Sequence, residues 1–153
     1  MSYRCRYEGF DNLENTLNRL SEKSTNICKG MVWTGAGLLA DTIKKSLVSS
    51  VSDESTGELA KSLDISEMVV DGNDVYTKIK FVGYSREGTD TEVPNGIKAA
   101  VLESGRSDQD GRNKTHFYSN AVRGVRKAVI YAMQEKLDKM VEAITKAQSN
   151  TGD

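Results

Sequence analysis

One proline, one histidine, one tryptophan and two cysteines occur in 153 residues, and aromatic residues make up only 7%. Each shortage removes a class of explanation. Cys5 and Cys28 are too few for a disulfide framework and lack a flanking base or metal-ligand spacing. They fit a reducing cytosol and are expected as small buried hydrophobes. No apolar run approaches the roughly 20 residues that span a bilayer, and residues 1–5 lack the apolar centre of a secretion signal. Charge of one sign is missing as well. Charged residues reach 28%, yet the net charge is -1, so no basic excess marks a nucleic-acid binder. Apolar content is itself modest, at 37% with a mean hydropathy of -0.52. The length suits one domain rather than two, and its core is expected to be thin, or its helices to bury their stripes against neighbouring molecules.

What is present is periodicity. Residues 3–8 alternate, with Tyr3, Cys5 and Tyr7 on one face and Arg4, Arg6 and Glu8 on the other, which predicts a half-buried strand. Asp11 and Glu14 have the spacing of a capping box, with Phe10 placed to staple the first turn. Leu13, Leu17, Leu20, Ile27, Met31 and Leu38 then recur mostly at steps of three, four or seven, and Leu39, Ile43 and Leu47 continue the stripe of a long helix. Ser24 and Thr34 interrupt it. Gly30, Gly35 and Gly37 predict a bend or break near 31–37; the other reading is a close crossing with a helix or subunit. Trp33 lies there and is expected to pack in the core, with an interface as its second role. Polar residues 49–56 end the helix, and Leu59 returns to the core. Residues 62–70 and 74–83 read as strands joined by Asp71-Gly72-Asn73, a β-hairpin with Val75, Thr77, Ile79 and Phe81 on one face. Tyr76, Lys78, Lys80 and Val82 take the wet face. Residues 84–93 read as a charged loop, 96–102 as helix or strand, and 104–115 as a loop ordered by a partner or mobile. A last helix over 117–147 carries Val122, Val125, Val129, Ala132 or Met133, Leu137, Met140 and Ile144, and residues 149–153 form a frayed tail.

No pattern supports a reaction. His116 sits at a loop–helix boundary, and no nucleophile elbow or Cys–His pair recruits it. Asp108-Gln109-Asp110-Gly111 lacks the later bidentate Glu of a calcium loop. Gly35-Ala36-Gly37 lies inside a helical pattern instead of following a strand, so it is no dinucleotide fingerprint. Arg123, Arg126 and Lys127, with Arg112 and Lys114 ahead of them, form a basic cluster. A solvated helix face accounts for it better than a phosphate site, because no aromatic residues interleave it.

The segment order resembles the tail-completion and neck family of long-tailed phages and phage-like contractile particles. The resemblance covers residues 3–145. It rests on Gly9-Phe10-Asp11-Asn12-Leu13 opening the first long helix, Thr56-Gly57-Glu58-Leu59 followed by Ser62-Leu63, Ala100-Val101-Leu102-Glu103-Ser104-Gly105, and His116-Phe117-Tyr118 with Ala121-Val122-Arg123 opening the last helix. His116 stands where the family usually has proline, and Ser104 where an aromatic is common. The resemblance implies an α+β fold, two long helices (N-terminal and C-terminal) packed on a small antiparallel sheet with a β-hairpin, residues 1–148 being a single ring-forming domain. It implies a structural virion protein and not an enzyme: a homo-oligomeric ring, hexamer or dodecamer, acting as tail completion, collar, terminator or head–tail connector at the neck or tail terminus. It further implies assembly in the host cytoplasm, tail-tube, sheath or head-connector partners, DNA only as passing cargo, and no cofactor, metal or membrane. Interface candidates are Trp33, Thr56, Gly57, Glu103, Gly105, Arg106, His116, Phe117 and Tyr118; Lys78, Lys80 and Arg123 are candidates for a DNA-facing lumen. The alternative is a small DNA-associated or regulatory binding module using the basic cluster.

Overall fold

The structure, a computed structural model, describes residues 10–51, 57–86, 91–105 and 114–149. The strand expected at 3–8, Cys5, Thr56, Arg106, the centre of the charged loop at 87–90, and the segment 106–113 lie outside these residues, as do the side chains of Phe10 and Asp11. The fold is α+β. Two long helices, α1 (Phe10–Ser50) and α4 (Phe117–Ser149), frame short helices α2 (Glu58–Lys61) and α3 (Asn95–Ser104) and six short strands, β1 (Leu63–Ile65), β2 (Val69–Asp71), β3 (Asp74–Tyr76), β4 (Ile79–Phe81), β5 (Tyr84–Ser85) and β6 (Val93–Pro94).

α1 has 41 residues and α4 has 33, so at 1.5 Å per residue they reach about 60 and 50 Å. They run antiparallel: Gly30 lies beside Met140, Gly35 beside Met133, and the Ser46 hydroxyl donates to the Phe117 carbonyl at 2.8 Å. The expected break at 31–37 does not occur. A Cβ on Gly30 would sit 2.8 Å from the Met140 sulfur, and one on Gly35 would sit 2.9 Å from the Met133 sulfur and 3.2 Å from Val129 Cγ1. Two of the three glycines therefore make room for α4, and that contact offsets their weak helix propensity. Gly37 has open space instead. Thr34 is accommodated in the stripe because its hydroxyl donates to the Gly30 carbonyl at 2.9 Å. The stripe predicted on α4 is buried or half-buried throughout, from Val122 to Ile144.

The hairpin forms, but the strands expected over 62–70 and 74–83 are each broken into two of three residues, because the register shifts by one residue between Ile65↔Ile79 and Val69↔Tyr76. β1 pairs with β4 and β2 with β3, all antiparallel, with Leu63 opposite Phe81 and Asp71 opposite Asp74. Ser66 joins the two ladders: its N–H donates to the Lys78 carbonyl at 2.8 Å, and its carbonyl accepts from the Thr77 hydroxyl at 2.6 Å. The loop is Gly72-Asn73, with φ of 58° at Gly72 and no positive φ at Asn73. This suits the two-residue turn that requires glycine first. Val75, Thr77, Ile79 and Phe81 are half-buried, and Tyr76, Lys78, Lys80 and Val82 are exposed, as the alternation requires. The charged loop after the hairpin is not wholly irregular, since its ends pair as β5 and β6.

The core gathers every layer. Ala40, Ile43 and Leu47 of α1 meet Leu59 of α2, Leu63 of β1, Ala99 of α3, and Phe117 and Ala121 of α4. Phe117 meets Phe81 edge-on, with ring centroids 6.1 Å apart. Two expectations fail here for one reason: the core takes only the side of α1 facing the sheet and α4. Cys28 is exposed, and Trp33 is 53% exposed. Both lie off that side.

Candidate functional site

Two of the signature segments, Ala100–Gly105 and His116–Tyr118, meet at the start of α4. α3 ends at Gly105, whose N–H donates to the Val101 carbonyl at 2.7 Å. The chain returns to this exit: Thr115 N–H and Oγ1 donate to the Leu102 carbonyl at 3.0 and 2.8 Å, and His116 N–H donates to the Glu103 carbonyl at 3.3 Å. His116 is the one non-glycine residue with positive φ among those described, at 49°. Its carbonyl accepts the first turn's bond from Asn120 N–H at 2.9 Å, so His116 holds the cap position of α4. A cap residue ordinarily supplies a side-chain oxygen to the second and third amides of its helix. Here Glu103 supplies it from another helix. One oxygen accepts from Tyr118 N–H at 2.8 Å, and the other from Ser119 N–H at 3.1 Å and from the Ser119 hydroxyl. Desolvation pushes the Glu103 carboxyl up, but the hydrogen bonds from Ser119 and Tyr118, together with the His116 imidazole, outweigh it and hold the carboxyl below its ordinary value. The positive end of the α4 dipole favours the same charge state.

The interface candidates separate at this junction. Phe117 is 1% exposed, so its ring serves the core and not a partner. Tyr118 and His116 are exposed and Glu103 half-buried. Gly57 takes φ of 71° and caps α2, a backbone role that only glycine fills easily. Trp33 presents its indole on the outer side of α1. Lys78, Lys80 and Arg123 are all exposed, and so are Arg126 and Lys127.

A second site was not legible in the sequence. An open cavity of about 610 Å³ lies between α2, β5 and the start of α3, lined in part by Lys61, Tyr84, Ser85 and Asn95. Ser85 and Asn95 are the two buried polar residues among those described, at 8% and 4% exposure. Arg86 and Glu92 at the rim pair with each other at 3.2 Å. The only sequence signal was Pro94-Asn95, a boundary that pairs the lone proline with an amide side chain.

Among the described residues no group of three His, Cys, Asp or Glu side chains is placed to hold a metal ion, and no helix is long and apolar enough to cross a membrane. Large apolar side chains remain bare on both long helices: Leu13, Leu17, Trp33 and Val48 on α1, Ile130 and Tyr131 on α4. Comparison with known proteins adds nothing to this geometry: no family model, curated protein or solved structure matches the chain.

Proposed function

We propose that the chain is a structural subunit of a phage neck or tail terminus, or of the collar of a contractile phage-like particle, and that it works by assembling with copies of itself and with tail proteins. The observation that carries this reading is the bare apolar surface of the helical hairpin. Trp33 at 53% and Tyr131 at 68% exposure lie outside the inward stripes of their helices, and Leu17 at 56% belongs to the α1 stripe but is left uncovered; exposed apolar surface of this kind, with aromatic side chains in it, is typical of protein interfaces. The resemblance supports it further, because Glu103 and His116-Phe117-Tyr118, which carry two of its signatures, form one capping junction.

A closed ring uses two different patches per subunit that meet head to tail. Light scattering and negative-stain imaging of the purified chain, alone and with tail tubes, test the reading. Rings or tube-bound collars are expected; a chain that stays monomeric in both settings overturns it. The exposed Arg123, Arg126 and Lys127, three and four residues apart on one helix face, favour a second reading as a DNA-associated module. That reading requires DNA affinity falling steeply with salt; flat or absent binding disposes of it.

A further inference from the structure

β2 is a strand with one side open. All three of its residues are exposed, and Val69 and Val70 are each 44% accessible although successive residues point to opposite faces of a strand. β3 is its one strand neighbour among the described residues. The two-residue loop makes Asp71 and Asp74 the closing hydrogen-bonded pair, so the N–H and C=O of Val70 point away from Val75 along the outer edge. A bare, β-branched edge is a template for a further strand. It is also acidic. Exposed Asp71 stands directly opposite exposed Asp74, a like-charge pair that a neighbouring cation would relieve.

Residues 3–8 have the complementary pattern. Tyr3, Cys5 and Tyr7 alternate with Arg4, Arg6 and Glu8, which predicts a strand with one apolar face and cations on the other. Their tether to α1 decides which sheet they can meet. Gly30 lies beside Met140 and the helices are antiparallel, so Ser149 falls beside roughly residue 21 of α1. The first turns of α1 run past it, with Leu13 and Leu17 bare. Residues 21–26 are all exposed, so the chain's own hairpin does not reach that far along α1. From Phe10 to Ile27 is about 25 Å of helix. Residue 8 stands no more than about 7 Å from Phe10, and residue 3 no more than about 25 Å. The six residues therefore cannot lie alongside their own β2.

We infer that residues 3–8 of one copy add as a third strand to the β2 edge of a second copy. The inference deepens the assembly reading and rests on that part of it in which copies associate. The incoming backbone pairs with the N–H and C=O of Val70. Arg4 and Arg6 lie on the face of Asp71 and Asp74, which puts Tyr3, Cys5 and Tyr7 on the face of Val70. Each copy gives one strand and receives one at a different place, the heterologous contact that a closed ring needs.

Cys5 on the face of Val70 allows the exchange to be trapped. The full chain carrying Val70→Cys and Cys28→Ser is mildly oxidised, alone and with tail tubes, and read by non-reducing gel and peptide mapping. A disulfide joining Cys5 of one chain to position 70 of another is expected, giving covalent multimers. Asp138→Cys, exposed on α4, in place of Val70→Cys should give no more multimer than Cys28→Ser alone. Adding Arg4→Glu and Arg6→Glu should reduce the link by about tenfold, since two favourable charge pairs become repulsive. Melting temperatures check that each variant folds. Rings or collars without the link overturn the exchange and leave the ring reading intact; the link without rings or collars does the reverse. A link within one chain, no link in any setting, or a link indifferent to Arg4→Glu and Arg6→Glu also overturns the exchange.

Discussion

Three glycines in one helix have three environments, and the differences are measurable one residue at a time. Gly37 has open space around a would-be Cβ, so Gly37→Ala should gain the helix propensity that glycine forfeits, about 1 kcal/mol. Gly30→Ala meets the mobile end of Met140, which can move, so the gain and the crowding should nearly cancel. At Gly35 the added methyl meets Met133 Cγ at 3.0 Å as well as the branched Val129. Gly35→Ala should therefore lose about 1 kcal/mol, the lower range for an overpacked contact. Urea titrations of the three variants should give the order Gly37→Ala, Gly30→Ala, Gly35→Ala from most to least stable. If Gly35→Ala is as stabilising as Gly37→Ala, the close crossing of α1 and α4 is wrong. Glu103 supplies a second test. Its carboxyl is held below its ordinary value in the fold, so its contribution is present above the unfolded carboxyl's pKa and is lost as pH falls through the lower folded value. Glu103→Gln should flatten the acid limb of a plot of melting temperature against pH. Glu103→Ala should cost about 1 kcal/mol at pH 7, the usual worth of a helix cap.

At the scale of elements, what the sequence revealed was local and what it hid was not. The stripe of α4, that of α1 from Leu20 onward and the alternation of the hairpin are properties of neighbours in the chain, and they folded as their periods required, whereas Leu13 and Leu17 of the α1 stripe are exposed. Gly72 belongs to this legible set. Its φ of 58° is what a two-residue loop between Asp71 and Asp74 demands, and Gly72→Ala should cost about 1–2 kcal/mol by forcing an L-residue into left-handed space. Thermal unfolding checks this, with Asn73→Ala as the control expected to change little. The unbroken run of α1 through Gly30 and Gly35 was illegible because it depends on methionines about a hundred residues away. The cap on α4 was hidden for the same reason: sequence rules look for the acceptor at His116, and it arrives from Glu103 on another helix. Ser85 and Asn95 come together only when β5 pairs with β6, a ladder too short to leave a pattern. Cys28 and Trp33 are exposed although their apolar character predicts burial, because α1 has only one side to bury.

At the scale of the molecule, that one-sidedness is the property with consequences. The core cluster occupies the end where α1 finishes and α4 begins, because Ile43, Leu47 and Phe117 pack there with the sheet and α3. Towards the other ends of the two helices the buried residues thin to Ile27 and Ile144. Two helices alone cannot cover their own flanks, so Leu13 and Leu17 stay exposed along the same stretch, and Trp33 and Tyr131 point away from the shared seam. If assembly is what these side chains serve, then Trp33→Ser and Tyr131→Ser should separate folding from association. Each should leave the unfolding free energy of the isolated chain within about 0.5 kcal/mol, since exposed positions contribute little to a fold. In the assembled state each should weaken self-association or tube binding by about 2 kcal/mol or more, the usual loss for a truncated aromatic anchor, read as a shift in the concentration at which rings form. Losing stability without losing assembly would make these residues part of the subunit's own packing, and the bare hairpin would no longer argue for partners.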